Sequence, residues 1–123
     1  MIGSWKFNFL SWRDGIPTIP RILLRYEDLL EDTYNVFYKL IYFLSKILKF
    51  QIDQDQIKFS IENSNFDILR KNEKKNGFAE NYKKNNFFFR KGRAHQWKNI
   101  LKSDQIKKIE NAFGDEMEFL DYL

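Results

Sequence analysis

Apolar positions along this chain fall into blocks whose spacing changes from one to the next. Trp5, Phe9 and Trp12 recur at steps of four and three, which predicts an aromatic face on a short helix. Asp14-Gly15-Ile16-Pro17 breaks that pattern, and Pro20 keeps the following chain extended. Residues 22–24, Ile-Leu-Leu between Arg21 and Arg25, form a short continuous apolar run. That run predicts a buried strand, parallel because a helix follows it. The helix is capped by Asp28 or Asp32 and extends to about Lys49, with Leu30, Tyr34, Phe37, Ile41, Leu44 and Leu48 at alternating steps of four and three. Leu40, Phe43 and Ile47 widen this stripe beyond a coiled-coil seam, so a helix packed on a sheet is expected, with a coiled coil as the alternative.

The second half is more broken. Asp53 reads as the N-cap of a helix running to about Asn63, with Ile57, Phe59 or Ile61 turned inward. Ser64-Asn65 reads as a fresh cap directly after it, opening a helix over 66–73 whose N-terminus is a candidate anion site. Residues 74–86 are polar, aperiodic and Asn/Lys-rich, with Phe78 and Tyr82 as possible anchors; this predicts a lid or binding loop, or else a disordered segment. One or two helical turns are expected over 97–101. Ser103 caps a last helix over 104–113 that Gly114 stops, and the tail over 115–123 is expected to dock on the body.

Charge changes this picture at one place. The chain holds 21 Lys and Arg against 17 Asp and Glu, net +4. Residues 70–93 hold nine basic and two acidic residues, net +7, and the remainder twelve and fifteen, net −3. Positive charge therefore gathers around Phe87-Phe88-Phe89-Arg90-Lys91-Gly92-Arg93-Ala94-His95-Gln96-Trp97-Lys98-Asn99, and it points to an anionic ligand. Arg presents a planar fork of donors that matches phosphate oxygens, Lys a compact charge, and Gly a backbone that approaches a ligand closely. The alternative is a surface turn with scattered charge. With no Cys and one His, disulfides and thiolate metal sites are excluded and a His-based metal site is not expected. The most apolar run, 36–44, is interrupted by Lys39 and is too short to span a bilayer, and the start shows no signal-peptide pattern. The expectation is a cytoplasmic protein.

Several motifs in order resemble the sulfotransferase domain family, whose sulfuryl donor is 3′-phosphoadenosine 5′-phosphosulfate (PAPS). They are Gly3-Ser4-Trp5, then Tyr26-Glu27-Asp28-Leu29 after a short apolar run, Ser64-Asn65-Phe66-Asp67-Ile68-Leu69, Gly77-Phe78, Phe89-Arg90-Lys91-Gly92 and Trp97-Lys98-Asn99. The resemblance covers nearly the whole chain but only the C-terminal half of such a domain. It implies an α/β fold, the C-terminal half of a P-loop-like parallel-sheet domain, mostly helical with one or few short strands. Residues 1–123 are then expected to be a single partial domain lacking the 5′-phosphosulfate loop, because no Gly-rich loop followed by Lys-Ser or Lys-Thr is found.

The resemblance further implies that PAPS is the co-substrate, with no metal. Tyr26 contacts the adenine; Ser64 and Asn65 make polar contacts to the nucleotide; Phe66 stacks on the adenine and Leu69 packs against it. Phe88, Phe89, Arg90, Lys91 and Gly92 wrap the 3′-phosphate. It assigns no catalytic residue to this chain, since the family's catalytic His lies in the other half.

Two departures stand out. His95 replaces the second Gly of an Arg-Lys-Gly-x-x-Gly-x-Trp-Lys pattern, which implies either a strained His or a different turn. A Lys-x-x-x-Thr-Val-x-x-x-Glu dimer motif is matched at Lys98 but not at Lys102, Ser103 and Lys107, so no dimer of that type is expected. His95 as a general base, and Asp67, Glu27 and Asp28 as paired carboxylates, are weaker readings than surface and capping roles. The expected function is sulfuryl transfer from PAPS to a hydroxyl or amine acceptor, with this chain inactive by itself. The alternatives are a non-catalytic nucleotide-binding or interaction remnant and, last, a nucleic-acid-binding module.

Overall fold

A computed structural model describes residues 3–79 and 87–123. The described residues form α1 (Trp5–Asp14), α2 (Tyr26–Glu31), α3 (Thr33–Leu48), α4 (Gln54–Asn63), α5 (Phe66–Asn76), a 3₁₀ turn (Gln96–Asn99) and α6 (Ser103–Phe119). They divide into two compact units, one from Ile22 to Ala94 and one made of the two chain ends, up to Arg21 and from His95 onward.

In the central unit, local chemistry sets most helix ends. Asp32 separates α2 from α3: its carboxylate accepts from Asn35 N at 3.2 Å and Asn35 Nδ2 at 2.6 Å. These bonds hold the Asp32 carboxyl below its ordinary range. α3 ends where Lys49 enters the left-handed region at φ 57° and donates its N–H to Ser45 O at 2.9 Å. Asp53 caps α4 by accepting from Asp55 N at 2.9 Å and Gln56 N at 3.1 Å. α3 packs on α2 and on α4. Ile57 of α4 is the buried apolar residue of this unit, whereas Phe59 is exposed and Ile61 half-buried.

The strand expected at 22–24 is not formed. No strand exists among the described residues, and Leu23 is 53% exposed. A strand requires a neighbour to take its N–H and C=O groups, and the described chain offers none. Tyr26 accordingly begins α2 instead of ending a strand. Leu23, Leu30, Leu48, Phe50 and Phe59 leave much apolar surface uncovered in this unit.

The other unit is a helix pair. Ser4 caps α1 by accepting from Phe7 N at 3.1 Å. Arg21 closes its other end, donating from Nη1 to the Trp12 and Arg13 carbonyls and from Nη2 to that of Ile16. Trp5 meets Phe113 edge-on at 5.4 Å, and Phe9 meets Phe119 at 5.6 Å. Trp12, expected on the same face, is exposed instead. The last turn of α1 reaches α6 through Arg13 instead, whose guanidinium lies 5.1 Å from the Phe119 ring centroid. Lys6 Nζ reaches the buried carboxylate of Glu116 at 3.0 Å.

Gly114 does not stop the last helix. The backbone kinks at Phe113 (φ −134°, ψ 17°), and α6 resumes as far as Phe119. Continuing buries Glu116 and Leu120, which a stop at Gly114 would leave out. The helix starts one residue earlier than expected: Ser103 is its first residue, Lys102 its N-cap, and Gln105 Oε1 accepts the Lys102 N–H at 2.9 Å. No helix among the described residues is long and apolar enough to cross a membrane.

Candidate functional site

Two stretches that are distant in sequence meet within the central unit, and α5 is the element on which they meet. Ser64 closes α4, its N–H donating to Ser60 O at 3.0 Å. Asn65 at once opens α5, its Oδ1 accepting from Asp67 N at 2.9 Å. This is the back-to-back cap read from the sequence, and it uses the acceptor side of the Asn65 amide. α5 continues to Asn76, past the expected end at Glu73.

Phe66, Arg70 and Glu73 lie at successive helical steps along one face of α5. Each meets part of the loop that begins at Phe87. Phe66 meets Phe89 edge-on at 6.3 Å. Gly92 sits so close that a Cβ there would lie 2.5 Å from Phe66 Cδ2, and its φ is +59°. Steric space therefore selects glycine at this position, and the backbone angle favours it. The Arg70 guanidinium lies 5.6 Å above the Phe87 ring centroid. Glu73, only 6% exposed, accepts from Phe88 N at 2.6 Å and from Phe89 N at 3.0 Å, one bond to each carboxylate oxygen.

The chain leaves α5 through Gly77 at φ 73°, ψ 177°, a backbone state essentially confined to glycine. That exit places Phe78 parallel to Phe88 at 4.4 Å and edge-on to Phe89 at 5.4 Å. Gly77-Phe78 thus serves as a turn and an anchor for the same loop. The remainder of the expected lid, residues 80–86, lies outside the described residues.

The other expected site residues are placed as follows. Leu69 is half-buried on α5, one turn from Asn65, whose carbonyl accepts the Leu69 N–H at 3.0 Å. Arg90 and Lys91 are exposed, with no ion pair or hydrogen bond among the described residues. Tyr26 is exposed and makes no hydrogen bond or ring contact there. The structure thus joins Phe66 to Phe89 and Gly92, with Phe88 attached through Phe89, and leaves Tyr26 outside that cluster.

His95 belongs to the other unit. It adopts the left-handed conformation, φ 56° and ψ 20°, as the residue capping the 3₁₀ turn. Of the two outcomes expected, a strained His or a different turn, the chain has a His in the left-handed region, at a cost of about 1–2 kcal/mol.

Glu73 was missed by sequence reasoning, which counted it only as an acid in a basic segment. Its signal was available: it lies seven residues after Phe66, on the same helical face, and is one of two acids among eleven charged residues in 70–93.

Comparison with known proteins identifies the class. The model of the sulfotransferase domain matches residues 1–121, and the chain belongs to that family. It is 26% identical to sulfotransferase 2A1 of Rattus norvegicus, an alignment covering 95% of this chain and 41% of that protein. It is 30% identical to cytosolic sulfotransferase 14 of Arabidopsis thaliana, over 92% of this chain and 33% of that one. With the 3-alpha-hydroxysteroid sulfotransferase of Cavia porcellus the figures are 27% identity, 94% and 40%. The chain spans roughly two fifths or less of the length of these relatives. No solved structure matches it.

Proposed function

We propose that the central unit is the adenine and 3′-phosphate part of a PAPS site, and that the chain contributes this part to a sulfotransferase domain. The observation that carries the reading is the contact of Gly92 with Phe66. It brings Phe66, one of the residues expected at the base with Ser64, Asn65 and Leu69, against the stretch expected at the 3′-phosphate, Phe88 to Gly92. Arg90 and Lys91 lie exposed at the edge of that contact. An Arg fork and an ammonium beside an aromatic ring suit a nucleotide that carries an extra phosphate. Asn65 keeps its amide donors for a ligand while its oxygen caps α5. Tyr26 joins as an adenine contact when nucleotide is bound.

Sulfuryl transfer depends on positioning the donor and on stabilising charge on the transferred group. In this reading the chain supplies the first of these, and groups acting on the sulfate come from the part of the domain that it does not span. The acceptor is a hydroxyl or amine, and the setting is the cytoplasm. The chain by itself has no sulfation activity; a steady sulfation rate from the purified chain with PAPS would refute this.

Binding is tested by calorimetry with the desulfated nucleotide, 3′-phosphoadenosine 5′-phosphate. Heat is expected from the wild-type chain. Arg90→Ala and Lys91→Ala are each expected to weaken binding about tenfold or more, the worth of a charge-assisted hydrogen bond. No heat from the wild type, or equal heat from the variants, removes the 3′-phosphate assignment.

The uncovered apolar surface favours a second reading, in which the chain is an interaction module. The exposed Leu23, within an apolar run that lacks a strand partner, then pairs with a strand of the remaining domain, and the parallel sheet forms only there. Hydrogen exchange at residues 22–24 would slow on adding that polypeptide; unchanged exchange would argue against this reading.

A further inference from the structure

We infer that Glu73 is the positioning residue of the anion-binding loop, holding it open and correctly pitched before a ligand arrives. This rests on the 3′-phosphate reading of Arg90, Lys91 and Gly92.

The argument begins with the backbone. In an extended segment successive N–H groups point in opposite directions. Here the N–H groups of Phe88 and Phe89 both turn to one carboxylate, at 2.6 and 3.0 Å. The chain is therefore bent at these two residues, and the bend is fixed by a side chain from α5. Arg90, Lys91 and Gly92 follow immediately, so their direction is set by that bend.

The choice of a carboxylate is informative. Burying one to 6% exposure costs several kcal/mol unless it is well paired. A neutral acceptor or water would close an ordinary bend at lower cost. A carboxylate offers two acceptor oxygens in one rigid plane, so it can fix two consecutive N–H groups at once. It also places a negative charge at the base of a loop that carries Arg90, Lys91 and Arg93, which would otherwise repel one another in the empty state. Among the described residues no ion pair joins Arg90 or Lys91 to this carboxylate. The flanking contacts point the same way: Arg70 on Phe87, Phe78 on Phe88 and Phe66 on Phe89 hold the loop from either side of Glu73.

The test uses the full chain with Glu73→Gln, which keeps the shape but replaces one acceptor oxygen with a donor. Affinities for 3′-phosphoadenosine 5′-phosphate and for adenosine 5′-phosphate, which lacks the 3′-phosphate, are measured side by side. Glu73→Gln is expected to lower the preference for the 3′-phosphorylated nucleotide about tenfold, the cost of one orphaned donor, with little change for adenosine 5′-phosphate. Amide exchange at Phe88 and Phe89 is expected to speed up about tenfold while α5 keeps its protection. Equal weakening for both nucleotides, or loss of thermal stability with the preference intact, means that Glu73 only supports the fold and overturns the inference. Unchanged exchange at Phe88 and Phe89 overturns it without reference to any ligand. A wild-type chain with no preference between the nucleotides refutes the underlying 3′-phosphate reading, a result that the exchange data keep separate.

Discussion

Each unit of this protein buries a carboxylate, and the two are used in opposite ways. Glu116, 3% exposed, takes the ammonium of Lys6 at 3.0 Å, and its second oxygen, Oε2, has no hydrogen-bond partner among the described residues. Glu73, 6% exposed, takes two backbone N–H groups, one on each oxygen. The first arrangement spends a side-chain cation on joining α1 to α6. The second bends a loop and leaves exposed cations beside it. Aromatic packing differs in parallel: Trp5, Phe9, Phe113 and Phe119 line a helix seam, whereas Phe66, Phe78, Phe88 and Phe89 pack ring to ring along the loop, with Phe66 also against Gly92. Similar residue types thus build a cross-brace in one unit and a shaped loop in the other.

Substitutions can break this contrast. The largest effect is expected from Gly92→Ala, since the new Cβ meets Phe66 at 2.5 Å on a backbone at φ +59°. A loss of about 2–4 kcal/mol in urea denaturation is expected, together with loss of the preference for 3′-phosphorylated nucleotide. An unchanged midpoint would show that Phe66 swings aside and that the contact does not hold the loop. Next, Lys6→Met leaves Glu116 buried without its partner. Because Lys6 is partly exposed, about 2 kcal/mol is expected rather than the larger cost of a fully buried pair. Adding Glu116→Gln should recover part of the loss. Nucleotide preference should be untouched by either change; a shift would show that the brace and the loop are not separate devices.

His95→Gly should stabilise the chain by about 1 kcal/mol, by relieving a left-handed His less the extra backbone freedom of glycine. Destabilisation would mean that the His side chain contributes a contact outweighing its strain. The smallest effect is that of Asp32, whose carboxyl is held below its ordinary range by bonds from Asn35. A lowered folded-state pKa contributes stability above the ordinary carboxylate value and loses it as pH falls through the lowered one. The stability difference between wild type and Asp32→Asn should therefore shrink in acid below the ordinary carboxylate range. A difference that persists there would show that α3 does not depend on the charge of its cap.

Helix positions were legible where short-range chemistry decides them. Asp53 and Asn65 act as the expected caps, and the long amphipathic helix ends at the expected lysine. The turn after Arg93-Ala94 was also legible as a short helical piece. Where the reading failed, the deciding partner was remote. Residues 22–24 have the composition of a buried strand, but a strand is a relation between two segments. Gly114 has the look of a stop, but burial of Glu116 and Leu120 carries α6 past it. Trp12 continues the aromatic spacing, but the α6 seam is used up by Trp5 and Phe9. Within the candidate site, the residue types Phe66, Arg90, Lys91 and Gly92 were legible, whereas Glu73 was not, because what it binds is backbone, which has no residue signature.

The amino-acid sequence by itself determined the family, the basic segment, the caps and the glycines. Each of these depends on residue identity or on groups a few positions apart, so order along the chain carries the information. Only the tertiary structure decided that Gly92 has no room for a side chain, that two N–H groups share one carboxylate, and that His95 takes a left-handed conformation. Those are distances and angles between groups far apart in the chain, or imposed by such groups, and the packing of α5 against the loop from Phe87 creates most of them.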